Sequence, residues 1–292
     1  MTRTKQPAIP IHQMSTQALL GIEFRYMDVN DEYDEIMQKS HKNMIHRDSY
    51  YSFAFMDTAK ALFTIDFEEM QVAKRSVLYI RPGQVHFVSS LQRTKGWHLA
   101  IDPMLVEDSY KSMFEEQFAT QKPIALSVPV AARMRSTAHL LHNAMQAKPT
   151  VFSSRITLSL ASVFIGIIAE QYLSQQADAQ QRESRSALIA YRFKKLLSEN
   201  FKTLKSPAQY AKALSYSLSH LNESVKSTSG FPVSYWIHQQ GVLEAKRLLC
   251  YTSMDVREIA FALGYEDHTY FSRLFSKVVG MSPSAFRYKF HE

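Results

Sequence analysis

The sequence predicts an α+β chain in two parts, a small β-barrel with a helical hairpin followed by an all-α part. Three observations carry this. Short runs rich in aromatic and β-branched residues alternate with turn signals between about residues 21 and 102. From 103 to 173 the apolar residues recur at helical spacing. In roughly the last 85 residues one helical pattern is written twice. A length of 292 residues fits two domains, and 46% apolar with 21% charged residues is the composition of a globular chain with real cores.

In chain order, residues 1–20 are polar with Pro7 and Pro10, and read as an arm with little structure of its own. Strands are predicted at 53–56, 61–67, 76–80, 86–88 and 97–101, with turns at Asp57, Pro82-Gly83 and Lys95-Gly96. Ala61, Phe63, Ile65 and Phe67 alternate with Leu62, Thr64 and Asp66, which is period two. Many short strands with regular turns suggest a sandwich or small barrel. Helices are predicted at 104–118, 130–147 and 150–173, the last two as an antiparallel hairpin turned by Lys148-Pro149. Its apolar stripes either cover the barrel or form a subunit interface. Residues 174–186 have only alanines as apolar residues and cannot bury a face. The expected division is therefore 1–173, a linker at 174–186, and 187–292.

Several function classes lose support. The longest apolar run, residues 156–169, is too short for a bilayer, which takes about 20 residues, and the N-terminus lacks an apolar signal core. Cys250 is the one cysteine, so no disulfide forms within the chain, and a reducing cytoplasm is the expected location, with no membrane partner. No Ser/His/Asp set, paired-carboxylate motif or phosphate-cradling glycine loop stands out, so an enzyme is not expected. The net charge of +7 is unevenly spread: residues 187–292 hold 14 Lys+Arg against 8 Asp+Glu, the rest 20 against 19. A basic excess on one domain suits phosphate binding.

The repeat sets Ala211, Leu214, Tyr216, Leu221, Val225, Gly230 and Trp236 against Ala260, Leu263, Tyr265, Phe271, Phe275, Gly280 and Phe286. Each copy reads as helix, tight turn, helix. The pairs Leu221/Val225 and Phe271/Phe275 are i,i+4 neighbours that pack inward. N-caps are expected at Ser206 before Pro207, at Ser217, at Asp267, and at Asp255 with Glu258 as a capping box. Gly230 and Gly280 can end helices in the left-handed conformation. An amphipathic helix over residues 234–251 joins the copies. Two such units on a rigid connector fit successive major grooves of B-DNA, roughly 34 Å apart.

The segments 258–267, 270–277 and 280–287, written EIAFALGYED, YFSRLFSK and GMSPSAFR, resemble the signature of the AraC/XylS family of bacterial transcription regulators. The resemblance is dense over residues 187–292. It implies double-stranded DNA as partner, a small organic effector, a homodimer, and contact with RNA polymerase. The outward positions are Ser219, His220, Asn222, Glu223 and Lys226 in the first unit, and His268, Thr269, Ser272, Arg273 and Lys277 in the second. Arg273 can pair with guanine, Asn222 with adenine, and Lys277 with phosphate. Glu223 sits where Arg273 does in the other copy; it either accepts from cytosine or turns aside.

Residues 78–86 resemble half of a cupin barrel motif, as in sensor domains of AraC-like regulators, and His46-Arg47-Asp48 lies where the other half would begin. His46, His86 and His98 stand singly on three predicted strands, so neither a metal nor another cofactor is expected. Phe53, Phe55, Tyr79, Arg81, His86 and Trp97 are the expected effector contacts. The same aromatics also suit a filled interior, and alternation lets only half of them face inward. Two alternatives stay open: a constitutive regulator with a ligand-free structural barrel, and a metal-dependent cupin enzyme tethered to DNA.

Overall fold

The computed structural model describes residues 8–14, 21–29, 45–116, 122–175 and 185–290. The chain divides into two units, residues 10–177 and residues 178–292 together with 1–9. The expected linker lies largely outside the described residues.

The first unit is built on two long antiparallel strands, β4 (Tyr51–Ile65) and β7 (Val85–Ile101). Their register runs from Tyr51↔Ile101 to Ile65↔His86, with irregularities between Met56 and Lys60 and between Leu62 and Phe63. Around them lie β1 (Ile11–His12), β2 (Ile22–Val29), β3 (His46–Asp48), β5 (Glu68–Ala73), β6 (Ser76–Ile80) and β8 (Ile124–Ala125). The order is β1-β3-β7-β4-β6-β8, with β2 also on β7 and β5 also on β4. β6 pairs the first half of β4 and β5 the second; β2 pairs the last eight residues of β7 and β3 its first two.

These pairings leave the sheet open, so the expected closed, cupin-like barrel is corrected. Bulges bend a paired strand while its ladder continues. Ala54, Met56, Leu78 and Ile80 from one half of the sheet join Phe63, Ile65, Met70 and Leu91 from the other in one buried cluster. The bent sheet thus wraps this face without closing a ring. The same bulges explain why four expected strands are two. Asp57 and Lys95-Gly96, turn signals in the sequence, lie inside β4 and β7. The sharp turns fall instead at Asp66-Phe67 and Arg75, left-handed without glycine at φ of 47°, 75° and 54°.

The opposite face carries the helices. After a 3-10 turn at Pro103–Leu105 come α1 (Asp108–Glu116), α2 (Val128–Gln146) and α3 (Ser153–Ser174). Phe24, Phe53, Phe55, Tyr79 and Trp97 pack there with Phe114 and Phe164. α3 is long and apolar enough, by length and composition, to cross a membrane, and it exceeds the apolar run seen in the sequence. Its Phe164, Ile165 and Ile168 are buried in the sheet–helix core, as in a core helix.

The second unit holds α4 (Arg185–Asn200), α5 (Pro207–Ala213), α6 (Leu218–Ser229), α7 (Val233–Tyr251), α8 (Val256–Ala262), α9 (His268–Val279) and α10 (Pro283–Phe290). The expected caps are present. Ser206/Gln209 and Asp255/Glu258 form capping boxes, Ser217 accepts from His220 N, and Asp267 accepts from Thr269 N. Gly230 and Gly280 close α6 and α9 at φ of 79° and 82°.

Candidate nucleic-acid interface

Each repeat folds as a short helix, a left-handed turn and a longer helix: α5–α6 and α8–α9. Leu221 and Val225 of α6, and Phe271, Leu274 and Phe275 of α9, are buried. At roughly 25 cal/mol per Å² of apolar surface, each such aromatic is worth a few kcal/mol in holding its helix in place. α7, 19 residues and about 28 Å long, joins the copies. A buried ion pair, Arg247 to Glu244 at 2.9 Å, lies along it. Arg287 of α10 donates through Nε to Leu249 O at 3.0 Å and also to Met254 O, tying the end of α7 to the second repeat. Cys250 is buried beside them, and burial pushes its thiol up to about 12, so it stays protonated.

In α9, His268, Thr269, Arg273 and Lys277 are exposed, and Ser272 is half-buried with its hydroxyl donating to His268 O at 2.8 Å. Tyr270 is 49% exposed, so the outward face carries an aromatic ring beside the five polar positions. Asp267 is held below the usual carboxylate range by the backbone N–H of Thr269, which keeps a negative charge on the N-terminus of α9. In α6, Ser219, Glu223 and Lys226 are exposed and His220 is half-buried. Asn222 has a structural role that the sequence did not reveal: its Oδ1 accepts from Val233 N at 3.1 Å, capping the start of α7. That bond orients the amide toward α7, which competes with a bidentate pair to adenine.

Beside α9 lies a cleft of about 640 Å³, lined among others by Tyr235, His238 and Gln239 of α7 and Tyr270, Arg273 and Lys277 of α9. Burial and the charge of Lys277 hold His238 below the usual histidine range, so it is neutral near pH 7. The three α7 residues were missed in the sequence. They sit on one helical face at i, i+3 and i+4, a spacing that by itself reads as packing.

The expected effector contacts fall into two places. Phe53, Phe55, Tyr79 and Trp97 lie on the helix-facing side of the sheet and are at most 3% exposed. Trp97 stacks on Phe24 at 5.2 Å and meets His139 edge-on at 5.1 Å, and Tyr79 donates to Phe114 O at 3.2 Å. Alternation sends all four to the face that the helices fill, so they do not line the wrapped interior. Arg81 and His86 lie near the turn between β6 and β7. Arg81 packs on Gln84, and His86 belongs to a second group with His12, His46 and Asp48. The sequence had set these histidines apart; strand pairing brings them together, His46 lying directly across from His86. His98 stays outside the group, hydrogen-bonded to Ser52 Oγ at 3.2 Å, and burial pushes it down to about 3.

A family profile described as a helix-turn-helix domain matches residues 210–289, both repeats and the connector. The arabinose operon regulatory protein of Escherichia coli is 36% identical over 80 residues, 27% of either chain. Over this stretch the chain is similar to the helix-turn-helix part of AraC-type regulators. A Bacillus subtilis relative, the HTH-type transcriptional regulator YisR, is 30% identical over 121 residues, 41% of this chain and 42% of that protein. The chain thus spans less than half the length of these relatives. The C-terminal domain of AraT, a response regulator from Geobacillus stearothermophilus, is 27% identical over 37% of this chain and 91% of that one, with a TM-score of 0.35. The fatty-acid-bound ToxT of Vibrio cholerae is 10% identical over 94% of this chain and 97% of its own, with a TM-score of 0.40.

Proposed function

We propose that the protein is a sequence-specific double-stranded DNA-binding transcription regulator whose N-terminal unit takes up a small organic effector. One observation carries the DNA-binding part. α9 is anchored by Phe271, Leu274 and Phe275 and presents His268, Thr269, Arg273 and Lys277 outward. A buried apolar face under an exposed donor-rich face is what a recognition helix needs. The excess basic charge on the same domain supports it. Arg273→Ala tests it in a gel-shift assay on a selected site. The expected loss is on the order of 1–3 kcal/mol with relaxed base preference at one position. An equal loss on every sequence makes Arg273 a phosphate contact and removes it from base reading.

Effector control rests on the wrapped face of the sheet. Met56 and Met70 bring flexible thioethers into one cluster with Phe63, Ile65 and Leu78, and such side chains repack around a guest at low cost. With the aromatics of the opposite face held by helices, this face is where we place the effector. Homodimer formation is supported by an uncovered stripe: Ile156 and Val163 of α3 and Leu140 of α2 are 49%, 51% and 58% exposed. A thermal-shift screen with uncharged metabolites tests the effector, since a ligand of the folded state raises the melting temperature. RNA polymerase contact, a cytoplasmic location and the absence of enzymatic activity belong to the same reading.

A further inference from the structure

We propose that His12, His46, Asp48 and His86 form a site for a divalent transition-metal ion that clamps strand β1 onto β3. The inference is independent of the DNA-binding reading. β1 is two residues long and pairs parallel to β3, with Ile11 opposite Arg47 and His12 opposite Asp48. Two backbone bonds, Arg47 N to Pro10 O and Ser49 N to His12 O, both 3.0 Å, hold it there. This pairing carries a histidine from the N-terminal arm to a carboxylate that is only 3% exposed.

The three histidines gather around that carboxylate, two at one oxygen and His86 at the other. His46 Nε2 and His12 Nδ1 stand 3.5 and 3.9 Å from Asp48 Oδ1, and His86 Nε2 stands 3.4 Å from Asp48 Oδ2. All three exceed the 2.7–3.2 Å or so of an N–H···O hydrogen bond. They approach the edge of a tetrahedron around Zn²⁺, about 3.3 Å for metal–ligand distances near 2.0 Å. Ligand atoms of His12, His46 and Asp48 lie within 4.8 Å of one another. Among the described residues Asp48 Oδ1 has no hydrogen-bond partner, although it is buried. A buried carboxylate oxygen without a donor is costly unless a cation meets it.

The surroundings suit a metal beside the hydrogen bonds that the carboxylate takes from Ser52 and Tyr50. His86 Nδ1 lies 3.1 Å from Gln84 O. A carbonyl only accepts, so Nδ1 carries the proton, and in the neutral ring Nε2 turns a lone pair toward the carboxylate. Between that lone pair and the carboxylate there is room for one positive charge, a proton or a metal ion. Metal-bound histidines commonly donate their other N–H to a backbone carbonyl in this manner. Ser52 Oγ donates to Asp48 Oδ2 at 3.3 Å and fixes the carboxylate plane. Three imidazoles with one carboxylate suit Zn²⁺, Ni²⁺, Co²⁺ or Cu²⁺ rather than Mg²⁺ or Ca²⁺. Because β1 supplies His12, the full ligand set exists only with β1 docked, and metal shifts the chain toward the docked state.

The test uses the full-length, tag-free chain stripped with a chelator. Zn²⁺ is titrated against a competing chelator, and Co²⁺ uptake is followed by its visible absorption. One equivalent is expected, with tetrahedral-type Co²⁺ bands. His12→Ala, at a half-exposed position, and Asp48→Asn are each expected to weaken Zn²⁺ at least about tenfold. Hydrogen exchange of residues 8–14 is expected to slow with Zn²⁺ in the parent chain and not in His12→Ala. Absence of stoichiometric uptake overturns the site, and unchanged affinity in His12→Ala overturns the clamp. If Asp48→Asn fails to fold, His46→Gln takes its place with the same expectation.

Discussion

Replacing Gly264 by alanine is expected to destabilise the C-terminal unit by about 2–4 kcal/mol. Gly264 turns the chain between α8 and α9 at φ of 77°. A β-carbon there would lie 1.8 Å from Lys202 O and 2.9 Å from its carbonyl carbon. The left-handed backbone alone costs an L-residue roughly 1–2 kcal/mol. The clash adds a comparable amount, because a backbone carbonyl cannot rotate out of the way as a side chain can. Ser215 occupies the same turn in the first repeat, also left-handed at φ of 58°, and is exposed. Ser215→Gly relieves the same backbone strain but loosens the unfolded chain, so a change within about 1 kcal/mol of zero is expected. Urea unfolding reads both, with Trp236 as sole tryptophan fluorophore in a Trp97→Phe background. A Gly264→Ala shift below about 0.5 kcal/mol would refute the steric argument, since strain alone exceeds it.

Three further perturbations separate roles within the C-terminal unit. Asn222→Ala is expected to lower stability by about 1 kcal/mol through the lost bond to Val233 N while leaving base preference unchanged; selection from a randomised DNA pool checks the second half. Glu223→Arg is expected to tighten non-specific DNA binding and steepen its salt dependence, and an unchanged slope means that the side chain points away from DNA. Lys205 is lowered by burial to about 8 in the folded chain, from 10.5. Between these values the unfolded state holds the extra proton, so this group's contribution raises stability as pH rises from about 8 to 10.5. Urea midpoints of Lys205→Met across that window are expected to lack this rise.

The C-terminal unit was legible because its signals are local. Caps act within three residues, as Ser206 with Gln209 and Asp255 with Glu258 do, and the i,i+4 pairs fix the buried face of each helix without reference to the rest of the chain. What stayed hidden involved a partner far away or a dual-use side chain. Asn222 looks like a reader of adenine until Val233, 11 residues on, takes its oxygen. Tyr270 belongs to an aromatic-rich run, and nothing in that run says that its ring is left half outside.

The N-terminal unit was less legible for a reason that lies in β4. Period two separates an inner from an outer face only when one face meets water. Tyr51, Phe53 and Phe55 are buried toward the helices, and Ala54 and Met56 are buried toward the wrapped face. Both phases of the alternation are apolar, so the sequence names the strand and not its orientation. The bulges around Thr58 then shift the phase before the second half of the strand begins. An aromatic list drawn from such a strand mixes two faces, which is why Phe53, Phe55, Tyr79 and Trp97 proved to be packing residues for helices. The histidines suffered the opposite error. His12, His46 and His86 are far apart in sequence and each is ordinary alone. Only the parallel β1–β3 pairing and the His46↔His86 register bring them to one carboxylate. A two-residue strand carries no periodicity by which to be found, so the arm was read as lacking structure at the very point where its histidine meets Asp48.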